Sequence, residues 1–166
     1  MARHFKDIID VPSIHSLQES MQQVTGIPAC LIDNHGVVVV DSGWQSTCTL
    51  YNRKHPSTAK NCRENDLYFA RYLDEHDVPE EGFIEHACKN GFIEIGLPII
   101  INEKHTATLL FGQFLPEEID LDFFRGIARK IGIDEQEYIR AVIKMPVYDR
   151  TLIDKLLATY TGIIDL

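Results

Sequence analysis

Much that marks a common protein class is missing from this chain of 166 residues. No apolar run approaches the ~20 residues that a spanning helix needs. The longest, "GLPIII" and "TATLLFG", fall far short, so no membrane segment is expected. The N-terminus "MARHFKDIIDVPS" has no apolar signal-peptide core, which points to a cytoplasmic protein. Basic residues never form a long run, and the formal charge is −9. A nucleic-acid surface needs clustered Lys and Arg to neutralise phosphates, so direct nucleic-acid binding is not expected. The four cysteines contain no CxxC pair, the usual mark of a zinc finger. No GxSxG elbow, HExxH, Walker loop or GxGxxG occurs, and enzymatic activity is not expected. No Gly/Ser-rich or Pro-rich linker, repeat or low-complexity tract divides the chain, which reads as a single domain over residues 1–166.

What is present suits a folded domain. Hydrophobic residues make up 45% of the chain, enough for a proper core. "SIHSLQESMQQVTG" spaces Leu17, Met21 and Val24 as an amphipathic helix, with Ser13 or Ser16 to cap it and Gly26 to end it. "IPACLID" and "VVVVDSG" around "NHG" read as a hairpin. From Pro56, "STAKNCRENDLYFARYLDEH" reads as a long helix with Cys62, Asp66, Phe69 and Leu73 on one side. "EGFIEHAC", "FIEIGLPIII" and "KHTATLLFGQFL" then give three strands, whose short connections "KNG" and "NE" imply antiparallel pairing. Three helical segments follow, broken by Gly132 and Pro146. The pattern predicts an α+β fold: a PAS-like antiparallel sheet of about five strands with helices packed on one face.

The chemistry concentrates in "GWQSTCTLYNRKHPSTAKNC", residues 43 to 62. It leaves a hairpin and enters a helix, a position from which loops commonly line a pocket because the sheet fixes their ends. Trp44 offers a pocket wall with one N–H donor, or a core tryptophan. Cys48, Cys62 and Cys88 lie near His55 and His86, and three thiolates with one imidazole make a tetrahedral zinc set. The alternative is buried cysteine as a small hydrophobe, which best suits Cys30 in "PACLI". A Cys48 or Cys88 nucleophile paired with a histidine is a third reading, with no local signature to support it. In "FGQFLP", strand alternation puts Phe111 and Gln113 on one side and Gly112 and Phe114 on the other. On a pocket side, the Gln113 amide would bind a ligand hydroxyl or carbonyl.

In order along the chain, Trp44, Cys48, Tyr51, Arg53, Cys62, Asp66, Cys88, Gly91, Pro98, Gly112, Gln113 and Phe114 resemble the PocR sensory-domain family. The resemblance runs from about Ile14 to Phe114, and it departs at Asn52, where a histidine is expected, and at Phe92, where the Gly-Leu step is Gly91-Phe92. If the missing histidine binds ligand in relatives, His55 is the candidate to stand in for it. The resemblance implies a PAS-like sensor of a simple hydrocarbon derivative of diol, glycerol or short-acid type. It also implies a downstream output module, whether DNA-binding, histidine kinase or diguanylate cyclase, reached through the closing helix "TLIDKLLATYTGIIDL". Such modules serve signal transduction and transcription regulation.

The leading expectation is therefore a non-catalytic sensor holding a small organic ligand with Trp44, Cys48, Tyr51, Asn52, His55, Cys62, Cys88, Phe111 and Gln113. The alternatives are a metal or redox sensor built on Cys48, Cys62 and Cys88, and a cysteine-nucleophile enzyme. A homodimer is left open.

Overall fold

The computed structural model describes residues 5–164, with side chains described from residue 5 to residue 160. The chain runs through α1 (Val11–Thr25), β1 (Ala29–Asp33), β2 (Val38–Ser42), a π-helical turn (Thr47–Asn52), α2 (Pro56–Glu75), β3 (Ile84–Ala87), β4 (Ile93–Ile101), β5 (Lys104–Phe114), α3 (Leu121–Ile131), α4 (Glu135–Val142) and α5 (Arg150–Ile164). The five strands form one antiparallel sheet in the order β2-β1-β5-β4-β3. This is the expected α+β, PAS-like architecture. The last two residues of the expected closing helix lie outside the described residues.

Local chemistry accounts for most element boundaries. Asp33 closes the first hairpin by accepting from the backbone N–H groups of His35 and Val37, each at 2.9 Å. Asn102 and Glu103 both take positive φ, the requirement of a tight two-residue hairpin turn between β4 and β5. Helix α3 starts where the Asp120 carboxylate accepts from two backbone N–H groups, and it ends at Gly132.

Helix α1 departs from the expected stripe. Its cap is Asp10, whose carboxylate accepts from the N–H and the hydroxyl of Ser13, because Pro12 is already suited to the first turn. Leu17 and Val24 are exposed, whereas Ile14 and Met21 pack on the core and Gln18 is buried between them. The apolar count misses this face because a glutamine occupies its centre.

Helices cover both faces of the sheet instead of gathering on one. Odd-numbered residues of the central strands, among them Ala29, Leu31, Leu109 and Phe111, pack with Ile153, Leu156, Leu157 and Tyr160 of α5 and with α1. The alternate residues Cys30, Ile32 and Leu110 pack with Phe69 and Ala70 of α2. Such burial on both sides follows from the near-continuous apolar runs of β4 and β5, which leave no polar face for solvent. Gly96 lets α2 approach closely, since a Cβ there would lie 2.5 Å from the Phe69 ring. Helices α3 and α4 form a third cluster with Cys48, Phe92 and Leu115.

One irregularity positions the functional region. The β4–β5 register passes from Ile95↔Phe111 to Ile93↔Phe114, so Gly112 and Gln113 together oppose Glu94. This is a β-bulge, and Gly112 adopts φ +108° there; a Cβ would come within 2.9 Å of the Ile93 carbonyl oxygen. The bulge resets the alternation. Phe111 and Phe114 therefore join the same cluster, against α5, and Gln113 lies on the opposite face from Phe111. The simple period-two reading, which puts Phe111 and Gln113 together, is corrected by that extra residue.

Candidate functional site

The face that carries Gln113 meets the π-helical turn and the first half of α2. A π-helical turn widens the backbone spiral and recurs at functional sites. Here it is closed by the Arg53 N–H donating to the Cys48 carbonyl at 2.9 Å. It carries Thr47 and Asn52 fully buried. Arg53 then extends over the Trp44 ring, 4.4 Å from its centroid, and makes two bonds of 2.9 and 3.0 Å to the carboxylate of Asp66 on α2. One turn of cation–π and bidentate contacts thus fixes both Trp44 and the start of α2.

Asn65, beside Asp66, is buried and donates to Glu94 on β4 at 2.5 Å. Burial and then the Asp66 charge push the Glu94 carboxyl up to about 7, with the Asn65 bond and Arg53 pulling the other way. Asn90, in the turn before β4, accepts from Asn61 and donates to the Thr58 carbonyl, with its amide 3.3 Å from the Cys62 sulfur. Asn52 accepts from the Tyr138 hydroxyl at 2.9 Å, tying the π-helical turn to α4.

The result is a buried polar cluster with bonds missing. Of the eight buried side-chain atoms without a hydrogen-bond partner among the described residues, five belong here: Thr47 Oγ1, Asn52 Nδ2, Arg53 Nε, Asn65 Oδ1 and Gln113 Oε1; the others are both amide atoms of Gln18 and Ser42 Oγ. They come from the π-helical turn and its end, from α2 and from the β5 bulge; Asn65 bonds Glu94, Gln113 opposes it across the β4–β5 ladder, and Arg53 acts on its charge. Leaving one such group unpaired costs about 1–3 kcal/mol, so buried polar atoms of this kind are normally met by water or another polar group.

The cysteines line the same region as thiols. All four are free. Burial followed by the Glu94 charge raises Cys30 and Cys48, and the same pair of causes pushes Cys88 up to about 12. Burial pushes Cys62 up to about 11, opposed chiefly by Arg53. A thiol held protonated is a poor nucleophile. Among the described residues no three His, Cys, Asp or Glu side chains are disposed to hold a metal ion.

The two histidines stand apart from the thiols. His55 caps α2, its Nδ1 accepting from the Ser57 N–H at 3.3 Å. His86 stacks on Tyr68, ring centroids 3.9 Å apart. Tyr51 points toward α4, donating to Glu137 at 2.6 Å with its ring edge-on to Tyr138. Phe111 packs on Tyr160 across the sheet, 4.6 Å between ring centroids. The expected residues that gather at the cluster are thus Trp44, Cys48, Asn52, Cys62, Cys88 and Gln113, while His55, Tyr51 and Phe111 lie around or behind it. Thr47, Asn65 and Glu94 belong to it but are missed by motif reading. Their signal is a polar residue set inside an apolar stripe, as in "FIEIG".

A sequence model of one family, described as the sensory domain found in PocR, matches residues 7–166. No curated protein and no solved structure matches the chain.

Proposed function

The chain belongs to the PocR sensory-domain family, and from that premise we propose that the cluster around Glu94 is where this sensor domain binds a small polar organic molecule of diol, glycerol or short-acid type. The observation that carries the reading is the set of five unpartnered buried polar atoms at Thr47, Asn52, Arg53, Asn65 and Gln113. Two are N–H donors, two are amide carbonyl acceptors and one is a hydroxyl, a set that a hydroxyl-bearing molecule can satisfy. The apolar parts of such a molecule would meet Cys48, Cys62 and Phe92.

Strand β5 supports a route from occupancy to output. It presents Gln113 to the cluster on one face and Phe111 and Phe114 to α5 on the other. Immediately beyond, Leu115 donates to the Pro146 carbonyl at 2.8 Å and accepts from the Tyr148 N–H at 2.7 Å, clamping the segment that leads into α5. A ligand that favours one arrangement of the bulge and the π-helical turn would bias α5, and through it a DNA-binding, kinase or cyclase module or a second copy of the chain.

Calorimetry and thermal shift with a panel of short diols, glycerol and short hydroxy acids test the reading. At least one member is expected to bind the wild type. Asn52→Leu and Gln113→Leu are each expected to weaken that binding about tenfold or more, as the loss of a buried hydrogen bond of ~1.5 kcal/mol implies. Binding untouched by both substitutions in folded protein would place the ligand elsewhere.

A further inference from the structure

Resting on the reading of the cluster as a ligand site, we infer that Glu94 is its specificity-determining residue, selecting neutral hydroxyl-bearing ligands over carboxylates of the same skeleton. Arg53 is the cation of the cluster, and Asp66 already engages it with two hydrogen bonds. Adding an ionised Glu94 leaves the three groups with one net negative charge, buried from solvent. A ligand carboxylate would bring a second uncompensated negative charge into the same low-dielectric space, at a cost that no remaining cation offsets.

Every element packed against Glu94 agrees. From β1 it faces Cys30, from the π-helical turn Cys48, from the end of that turn Arg53, and from α2 Cys62, Asn65 and Asp66. From the turn before β4 it faces Cys88, and from β3 its register partner is His86, whose ring burial shifts toward the neutral form. The four thiols are held neutral and burial favours the neutral ring of His86, so Asp66 and Arg53 are the charges that matter, and they cancel. Hydrogen-bond polarity points the same way. Asn65 Oδ1 and Gln113 Oε1 are acceptors in need of donors. A hydroxyl supplies a donor to them and still accepts from Asn52 Nδ2 or Arg53 Nε, whereas a carboxylate only accepts. Glu94 adds a further acceptor when ionised, and when protonated it removes the repulsion. A carboxylate should therefore enter together with a proton, and a diol should not.

The test uses matched pairs: ethane-1,2-diol with glycolate, and glycerol with glycerate, titrated calorimetrically at pH 6 and pH 8. Both acids are ionised throughout that range, so their own titration does not contribute. For the wild type, diol affinity is expected to hold steady or tighten at pH 8, and acid affinity to fall about tenfold, the change in protonated fraction of a group titrating near neutrality. In Glu94→Gln, which keeps the shape and still accepts from Asn65, acid affinity at pH 8 is expected to rise at least tenfold and to lose its pH dependence. Diols that bind while acids show no pH dependence, or a Glu94→Gln protein with unchanged selectivity, would overturn the inference alone. If Glu94→Gln does not fold, the same titrations on His86→Gln decide: a pH dependence kept there belongs to Glu94, and one lost there overturns the inference. If no member of the panel binds the wild type, the ligand-site reading fails and the inference with it.

Discussion

Replacing Arg53 with methionine is expected to destabilise the fold by ~3 kcal/mol, measured by urea denaturation at neutral pH. Asp66 is almost fully buried at 6% side-chain exposure, and Arg53 is its ion-pair partner at 2.9 Å. Methionine keeps much of the stem over Trp44 but leaves the carboxylate buried and unpaired. The penalty therefore comes from a stranded charge more than from the lost attraction. Removing that charge should recover the loss, so Arg53→Met combined with Asp66→Asn is expected to regain more than half of it. A single-variant loss below about 1 kcal/mol would mean that solvent reaches Asp66. A double variant no better than the single would mean that the stem packing, and not the charge, matters.

The second large effect concerns Glu94 and pH. Its folded-state pKa, about 7, stands above the value of 4.5 for an ordinary glutamate. The folded protein thus holds this proton more tightly than the unfolded chain. The resulting stability is fully present below pH 4.5 and is lost as pH rises through about 7. Between pH 5 and pH 8 the wild type is expected to lose about 2–3 kcal/mol from this group, since holding a proton that the unfolded chain has released is worth ~1.4 kcal/mol for each pH unit. Glu94→Gln cannot ionise, so the difference between the two proteins isolates the contribution: the variant gains on the wild type by that amount across the interval. Parallel stability curves for the two proteins would show that Glu94 ionises freely in the fold.

Much of this architecture is legible in the residues. The hairpin around "NHG", the helix starting at Pro56 and the three closing strands each combine a clear period with turn residues at their ends. The failures share a physical cause, which is that a periodic count takes polar residues as surface. Gln18 at the centre of the buried face of α1, and Asn65 and Glu94 between α2 and the sheet, interrupt apolar stripes and so weaken the periodic signal. Only packing reveals that they point inward. The bulge at Gly112 is equally invisible to a period-two count, and it moves Gln113 to the face opposite Phe111. The division of helices between both faces depends on where α2 crosses the sheet at Gly96, a long-range contact that no local pattern encodes.

Asn52 illustrates what the structure adds. A histidine is expected there from the family resemblance, and asparagine instead accepts from Tyr138 while its Nδ2 remains unpartnered. His55 does not replace it, being occupied as the cap of α2. The position thus keeps a buried, unpartnered donor without a titratable ring.

The most direct test is a crystal structure of the protein purified without added ligand and then crystallised with the tightest-binding panel member. Density for that molecule is expected between the π-helical turn, α2 and the β5 bulge, with hydrogen bonds to at least three of Thr47, Asn52, Arg53, Asn65 and Gln113. A cluster in which those side chains bond only to one another, with the ligand bound elsewhere or not at all, would contradict the ligand site.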